Sequence, residues 1–493
     1  MQSRDSTTID RIRPGIPRGL EFIELEGLRK RTGIPKQKIL QFATMELLFN
    51  TLDKDDATDI KLQVRKLKGT NISDVSVWDN GKTKLTQDSL ELILDFENEA
   101  SSKRGLKRVS RGYLGNALKC IIGYSYALAE EAGVEPIPAT FESAGMRYKV
   151  KLRPDKRAGK IFHDNLRLSR EKIEDNGFTR VFVSFPLDAS SELDEVGAQR
   201  LRELVYATSI VNPDRKLVVD ILGQAESLGV EKRSKTNKGP RRETSARWYS
   251  AKEFSSLFHD YVAIQPEEDD QRISLKDFIE MFRGLTKKAP EILQEVNEKW
   301  EKLRTSNEEN NHDSKPKNDM QFFPSTPIED FPSHCISLLL SAMKSRSRRI
   351  EKRSVPSVLG CVGKEAFESV AKSKEWTRTR YGLRVGVQVS CPSCDGSFTE
   401  EGCVDPDHTE FPFLVELAVF DRKPDDNGGK WVYNCVNFAA TTEETMFSSN
   451  IFDINYRLGA VGIQESTPVT ILTHLVSPVL LWQNYGKSSL AEE

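Results

Sequence analysis

Three polar side chains in the largely apolar segment 41–53 are the residues of this chain best suited to chemistry. Glu46, Asn50 and Asp53 recur at i, i+4 and i+7, so a helix of about 3.6 residues per turn places them on one face. A carboxylate there can act as a general base toward water, and carboxylate and amide oxygens are ligands that Mg²⁺ prefers. A core helix whose polar face meets water or another chain would have the same pattern. The segment alone leaves both interpretations open.

A second candidate group follows a predicted strand. The alternating segment 72–79 ends in Asp79, and Gly81 comes two residues later. A carboxylate at a sheet edge beside glycine can meet a ligand closely, because glycine has no side chain. Asp-Asn-Gly is also a common turn, so the motif by itself does not identify a binding site.

A basic loop with two glycines precedes a predicted helix. Gly112 and Gly115 lie just before the apolar run that begins at Ala117. Backbone amides and the helix dipole favour an anion such as phosphate at a helix N-terminus. A packing loop with a glycine turn is the alternative.

Taken in order, these motifs resemble the ATP-binding domain of the GHKL superfamily. That superfamily includes gyrase-type topoisomerases, Hsp-type chaperones, sensor histidine kinases and mismatch-repair ATPases. Glu-x-x-x-Asn-x-x-Asp on a helix, Asp-x-Gly after a strand, Gly-x-x-Gly before a helix and the threonine of GFTRVFVSF carry the resemblance. It implies an α+β protein whose first domain is a Bergerat-type α/β sandwich that binds ATP and Mg²⁺.

The resemblance also implies a role for single residues. Glu46 would polarise the attacking water, Asn50 would hold Mg²⁺, and Asp79 would accept a hydrogen bond from the adenine amino group. Thr83 replaces a glycine of the family motif, which puts the hydrolysis rate in doubt more than nucleotide binding. The other nucleotide-binding residues that the resemblance implies are Asp53 and Gly81, Thr179 near the base, and Gly112, Tyr113, Leu114, Gly115 and Asn116 around the phosphates.

The second half of the chain resembles the transducer domain of the B subunit of type IIB DNA topoisomerases, such as topoisomerase VI. That resemblance rests on the strand-like segment 411–420 and on a segment ending at residues 437–439, and in the first half a helix followed by Asn212-Pro213 resembles the same subunit. The resemblance also implies that Lys487 reaches across to the γ-phosphate of ATP in the first domain. A flexible lysine suits that role as a point charge. An exposed lysine after a strand is the alternative.

The resemblance, together with a polar stretch near residues 303–330, implies four parts of the chain. They are a GHKL ATP-binding domain with an N-terminal arm at 1–230, a basic loop and small helical insert at 231–302, a flexible linker at 303–330 and a transducer-like α/β domain at 331–493. The arm, before residue 34, is the candidate for exchange between protomers. Residues 145–177 are expected to be an insertion in the first domain.

Cysteine spacing suggests one further site. Cys391, Cys394, Cys403 and His408 can build a tetrahedral, structural zinc site. Reduced thiols in a cytosolic protein need no metal, so both interpretations remain open. The 7 cysteines of the chain do not form a disulfide framework.

Composition limits the class of protein. Charged residues are 30%, hydrophobic residues 38% and the net charge is −2, which is typical of a globular protein in water. No apolar run approaches the length of about 18 residues that marks a membrane span, and the N-terminus lacks a signal-peptide core. We therefore expect a cytoplasmic protein with no membrane partner. The basic loop 232–247 is expected to be either a solvated loop or a contact to the DNA backbone.

The leading hypothesis is an ATP-binding and hydrolysing clamp that forms a homodimer on ATP binding and acts on DNA. Glu46 and Lys487 would be its catalytic residues, and a separate subunit would cleave DNA, because the sequence has no recognisable cleavage motif. One alternative is a GHKL ATPase of a defence or DNA-processing complex that controls a partner nuclease without strand passage. A non-hydrolysing, nucleotide-gated scaffold, favoured by Thr83, is another.

Overall fold

The structure is a computed structural model of the chain. It describes residues 19–54, 56–96, 106–110, 116–155, 157, 161, 166–188, 193–229, 243–263, 272–308, 321–393, 405–423, 429–442, 454–480 and 490. None of the helices in these ranges combines the length and the apolar character needed to cross a membrane.

Eight strands form the first sheet in the described part of the chain. They are β1 (Asp59–Lys66), β2 (Ile72–Asp79), β3 (Ala139–Ser143), β4 (Met146–Leu152), β5 (Leu166–Lys172), β6 (Thr179–Pro186), β7 (Lys216–Ile221) and β8 (Gln224–Leu228). Their order in the sheet is β5-β4-β3-β6-β2-β1-β7-β8. β1 and β7 are parallel, and the other neighbours are antiparallel.

Helices cover one face of this sheet. They are α2 (Ile39–Leu52), α4 (Ala117–Ala132) and α5 (Glu195–Val211); α1 (Leu25–Thr32) packs on α4, and the shorter α3 (Gln87–Ile93) follows β2 in the chain. α2 packs on β2 and α4 packs on β6. Val75 and Val77, which alternate along β2, are buried, as expected for strand residues that face a helical layer.

The segment before residue 34 packs on its own chain. A 3-10 helix at Leu20–Phe22 and α1 both contact α4. Gly123 permits this approach, because a Cβ there would lie 1.8 Å from the carbonyl oxygen of Phe22. The hydroxyl groups of Thr32 and Tyr124 form a hydrogen bond of 2.6 Å. Residues 1–18 lie outside the described residues, and the exchange of this segment between protomers stays a prediction.

A helical insert follows the first sheet. It contains α6 (Ala251–Ala263), α7 (Leu275–Glu280) and α8 (Ala289–Glu308). The side chain of Ser274 accepts a hydrogen bond from the amide of Asp277, and this capping box starts α7. Phenylalanine rings in edge-to-face or tilted contacts fill the centre of the insert.

The predicted linker at 303–330 is partly folded. α8 extends into it as far as Glu308, and Phe322 and Ile328 near its other end are buried. Phe322 packs its ring against Phe331 at 4.7 Å, which buries apolar surface that composition alone did not reveal. Residues 309–320 lie outside the described residues.

The second sheet has five strands in the described part of the chain. They are β9 (Arg378–Ser390), β10 (Thr409–Asp421), β11 (Trp431–Val436), β12 (Ala439–Ala440) and β13 (Val469–Val476), and the accompanying helices are α9 (Ile336–Arg346), α10 (Val355–Leu359), α11 (Lys364–Ser373) and α12 (Ile454–Ala460). The strand order is β12-β11-β13-β10-β9, and α10 and α11 pack on it. The fold is α+β with two sheets, which confirms the predicted class.

α5 connects the two sheets. It contacts α2 and β7 on one side and β11 and β12 on the other. α5 therefore contacts both the second sheet and α2.

Candidate functional site

The candidate site is organised around α2. All of its residues except Asn50 are buried, and Glu46 is only 3% exposed. Glutamate side chains buried to this degree are uncommon in proteins, and those that occur are normally paired. Asn50 follows one turn later on the same face, and Asp53 caps the helix C-terminus. α2 thus has a buried carboxylate one turn before its single exposed residue.

Two of the predicted base-binding residues are neighbours in the first sheet. Asp79 of β2 lies directly opposite Thr179 of β6 in antiparallel register. Directly opposed side chains project from the same face with Cβ atoms about 4.5–5.5 Å apart. Asp79 shares its face with Val75 and Val77, and both Asp79 and Thr179 are buried. The structure therefore brings these two residues together beneath the helical layer.

The carboxylate of Asp79 has two neighbours that hold it. Lys54 Nζ donates to Oδ1 at 2.9 Å and to Oδ2 at 2.8 Å, and the amide of Gly81 donates to Oδ1 at 3.0 Å. The Gly81 contact explains the Asp-x-Gly pattern, because the backbone turns back onto the side chain that precedes it. Lys54 was not expected from the sequence, although it directly follows Asp53 of the polar stripe.

The loop after Asp79 is tied to the chain before β1. The side-chain amide of Asn80 accepts hydrogen bonds from the amides of Thr58 and Asp59 and donates to their side chains. The amide of Lys82 donates to Asp56 Oδ2 at 2.8 Å. These contacts fix the loop beside Asp79 and so preorganise the carboxylate.

A second residue missed from the sequence supports Thr179. The hydroxyl groups of Thr179 and Ser143 lie 3.2 Å apart, and Ser143 Oγ accepts a hydrogen bond from the amide of Leu85. Ser143 comes from β3, which adjoins β6 in the sheet. Only the strand order brings it to the site, so no local sequence signal could have identified it.

Several predicted phosphate contacts cannot be placed. Gly112, Tyr113, Leu114 and Gly115 lie outside the described residues, as does Lys487. Asn116, the next residue after that loop, is described at the start of α4, where its carbonyl accepts from the amide of Cys120 at 2.9 Å. These roles remain predictions.

The proposed zinc ligands are only partly described. Cys394 and Cys403 lie outside the described residues. The ring nitrogen Nε2 of His408 lies 3.2 Å from Glu410 Oε1, which also accepts a hydrogen bond from the guanidinium group of Arg247. Among the residues that the structure describes, no group of three or more His, Cys, Asp and Glu side chains is suited to a metal ion. The geometry does not support the zinc prediction.

Residues 106–110, which precede the predicted phosphate loop, are held from two directions. The side-chain amide of Asn437, in the second domain, donates to the carbonyl of Ser110 at 3.0 Å. In the helical insert, the hydroxyl of Tyr249 accepts from the amide of Lys107 at 2.6 Å. Burial lowers the pKa of Lys107, although its ion pair with Glu253 opposes that shift.

Asn437 lies in a tight turn between β11 and β12. Asn437 and Phe438 both have positive φ, 48° and 64°, the pattern of a two-residue hairpin turn that normally favours glycine. The side chain of Asn212, at the end of α5, donates to the carbonyl of Phe438 at 2.7 Å. Asn437 and Phe438 therefore keep an unfavourable backbone conformation at the point where the second sheet contacts α5.

A buried histidine and glutamate support this turn. His474 Nε2 accepts from the amide of Phe438 at 3.0 Å, so the ring proton is on Nδ1, which faces Glu416 Oε2 at 2.9 Å. Burial alone would raise the pKa of Glu416, but hydrogen bonds from His474 and from the amides of Val362 and Gly363 lower it below its ordinary value. The turn is thus anchored in the core of the second domain.

Comparison with known proteins adds the following. No family model matches the chain, and no curated protein sequence matches it. The chain is similar to the ATPase region of Saccharomyces cerevisiae topoisomerase II, in a structure bound to ICRF-187 (dexrazoxane). The two share 11% identity over 92% of this chain and 78% of that chain, with a TM-score of 0.37. It is also similar to the B subunit of DNA gyrase from Myxococcus xanthus, at 10% identity over 98% and 88% of the two chains, with a TM-score of 0.35. These values do not assign a family, so the function depends on the residues described above.

Proposed function

We propose that this chain is an ATP-binding and hydrolysing protein of the GHKL type, whose nucleotide state opens and closes a dimeric clamp. One observation carries the proposal: Asp79 and Thr179 form a directly opposed pair on the sheet face that α2 covers. Glu46, buried within α2, supplies a carboxylate in the same layer. The acceptor of Asp79 and the hydroxyl of Thr179 are suited to binding a base, and the carboxylate of Glu46 is suited to activating water.

In this proposal Asp79 and Thr179 bind the base. A carboxylate is an acceptor only, so Asp79 selects a ligand group that donates, such as the exocyclic amine of adenine. The Thr179 hydroxyl can both donate and accept. Buried valines beside the pair provide an apolar surface for the ring.

Glu46 acts as the general base. Its carboxylate takes a proton from water as the water oxygen bonds to the γ-phosphorus, and the bond from that phosphorus to the bridging oxygen of ADP breaks. Asn50, the exposed residue one turn later, has a side-chain oxygen suited to Mg²⁺, which would neutralise phosphate charge when bound. Mg²⁺ commonly uses only one or two protein ligands, so the site needs no acidic cluster.

The second domain responds to the nucleotide in this proposal. Asn437 is bonded to residue Ser110 of the loop before α4, and Lys487 would reach the γ-phosphate from the same domain. Nucleotide would favour the closed dimer through contacts made only in that state, which shifts a population. By resemblance, the clamp would act on DNA as a type IIB topoisomerase B subunit does, beside a separate DNA-cleaving subunit.

ATP turnover by the purified chain tests the proposal. We expect Glu46→Gln to lower the rate by about 10²- to 10⁴-fold while ATP binding is retained, because the amide keeps the shape of the side chain but cannot accept the proton. Turnover is measured with and without duplex DNA, and binding by calorimetry with a non-hydrolysable ATP analogue.

The matched control is Glu26→Gln on α1, where the carboxylate is exposed and pairs with Lys30. This variant should turn over ATP at the wild-type rate. Loss of ATP binding in Glu46→Gln, or an unchanged rate, would remove Glu46 as the base. A copurifying partner that cuts DNA without relaxing it would favour the nuclease-control alternative over a topoisomerase.

A further inference from the structure

Lys54 covers the carboxylate of Asp79, which in the proposed function binds the nucleotide base. Its ammonium group contacts both oxygens of Asp79, at 2.9 and 2.8 Å. The ion pair is largely shielded from water, with side-chain exposures of 21% for Lys54 and 5% for Asp79. A base that enters the site must therefore either displace Lys54 or bind beside it.

The hydrogen-bonding capacity of the pair decides what it can bind. An ionised carboxylate offers about four acceptor positions, and an ammonium group offers three donors. Lys54 and the amide of Gly81 occupy three acceptor positions on Asp79, and Asp79 occupies two donors of Lys54. Within the described residues, one acceptor of Asp79 thus remains beside one donor of Lys54.

A donor beside an acceptor suits both purines. On the Watson–Crick edge, adenine presents its amino group next to N1, which accepts, and guanine presents its carbonyl oxygen next to N1–H, which donates. With guanine in the orientation that adenine takes, a lone carboxylate that accepts from the adenine amine would instead face the guanine carbonyl oxygen, so acceptor would meet acceptor. Lys54 supplies the donor that relieves this conflict.

We propose that Lys54 is a specificity-determining residue of the base pocket, and that it allows guanine nucleotides to bind beside Asp79 as well as adenine nucleotides. This inference rests on the proposed function, since it concerns the base site of the same pocket. Lys54 should also lower the affinity for ATP, because the amine of adenine competes with a charged donor for the carboxylate of Asp79.

Binding of non-hydrolysable ATP and GTP analogues, measured by calorimetry on the full chain, tests the proposal. We expect wild type to bind both within about tenfold of each other, and Lys54→Met to raise the preference for the ATP analogue by at least about tenfold. Lys54→Arg, which keeps the charge and the donors, should resemble wild type. Lys36→Met removes a lysine whose partners are Glu131 and Asp188, and should leave the preference unchanged.

The melting temperature separates this role from simple loss of stability. Lys54→Met leaves a buried carboxylate without its cation, so it should melt below wild type without nucleotide and gain more than wild type from the ATP analogue. A wild-type preference for ATP above about tenfold, or an equal preference in wild type and Lys54→Met, would overturn the proposal while the proposed function stands. If wild type bound neither analogue, the proposed function itself would fail. The wild-type preference needs no variant, so the test holds even if Lys54→Met does not fold.

Discussion

Asp79 and Gly81 are two residues apart, and the amide of Gly81 donates to the Asp79 carboxylate at 3.0 Å. A Cβ at position 81 would come within 2.8 Å of Asp79 Oδ1, 3.1 Å of Lys54 Cδ and 3.2 Å of Asp56 Oδ1. A backbone amide can approach a carboxylate in this crowded place only if the residue has no side chain. The glycine of Asp-x-Gly therefore sets the position of the acceptor.

Gly81→Ala should disturb the site and the stability together. The new methyl group must push Asp79 or Lys54 away, so we expect weaker binding of an ATP analogue and a loss of about 1–3 kcal/mol in the free energy of unfolding. Calorimetry and urea denaturation measure the two effects. The control is Gly382→Ala on β9, where a Cβ would meet nothing within 4 Å. Wild-type binding by Gly81→Ala would show that this glycine does not set the acceptor.

Motifs in the sequence singled out two residues that lie together in the structure, and their role in binding a base stays a prediction. Asp79 and Thr179 were identified through such motifs, and the structure pairs them directly. Lys54 and Ser143 were missed, because one acts through the reach of a long side chain and the other through strand order. Neither property has a periodic signal in the sequence.

At the scale of elements, the junction between α5 and the turn after β11 determines how the domains meet. Asn437 Nδ2 donates to the carbonyls of Ser110 and Ser477, and Asn437 Oδ1 accepts from the amide of Ser477. The amide of Ala440 donates to Thr208 of α5. One short turn therefore contacts the loop before α4, the end of β13 and α5.

Asn437→Gly and Asn437→Ala separate the side chain of this turn from its backbone. Both variants lose the side-chain hydrogen bonds, so we expect slower ATP turnover through a displaced loop at 106–110. Alanine also disfavours a φ of 48°, and it should cost about 1–2 kcal/mol more stability than glycine. Urea denaturation and steady-state turnover measure these effects.

The control is Asn297→Ala in α8, whose side chain bridges the amide and carbonyl of Phe322 in a similar way far from the loop. It should lower stability and leave the turnover rate per folded molecule unchanged. A wild-type rate in Asn437→Gly would show that the side chain does not position the loop.

Element-level prediction was accurate for regular patterns and incomplete for packing between elements. The alternating segment 72–79 became β2, the strand-like segment 411–420 lies within β10, and the polar-striped segment became α2. Residues 145–177, expected only as an insertion, supply β4 and β5, which extend the first sheet at its edge. Tyr148, Val150 and Leu152 alternate along β4 and are buried, so the strand pattern was present in the sequence and was assigned only to an insertion. β5, at the edge of the sheet, is more polar.

At the scale of the whole molecule, α5 lies between the two sheets and also contacts α2. In the proposed function a nucleotide would bind beneath α2, and the second domain packs on α5. Both would then contact the same layer of helices. This arrangement suits a clamp in which the same chain binds the nucleotide and transmits its state.

Lys487→Ala tests that coupling. We expect the variant to bind an ATP analogue and dimerise in its presence nearly as wild type does, but to hydrolyse ATP slowly, because a point charge that stabilises the γ-phosphate is removed. Turnover and size-exclusion chromatography measure these outcomes. Lys423→Ala, an exposed lysine of the same domain that pairs with Glu375, is the control. A normal rate in Lys487→Ala would remove this lysine from the mechanism.

The parallel pairing of β1 with β7 also affects synthesis of the chain. Gln63 and Asp220 bond across these strands although 157 residues separate them. At about 5–20 residues per second, the ribosome needs roughly 10–30 s to supply the partner of β1. During that interval one edge of the β1–β2 hairpin is open to other nascent chains. Exposed Lys61, Arg65 and Lys66 on β1 place positive charge along that edge, so the strand repels its own copies until β7 arrives.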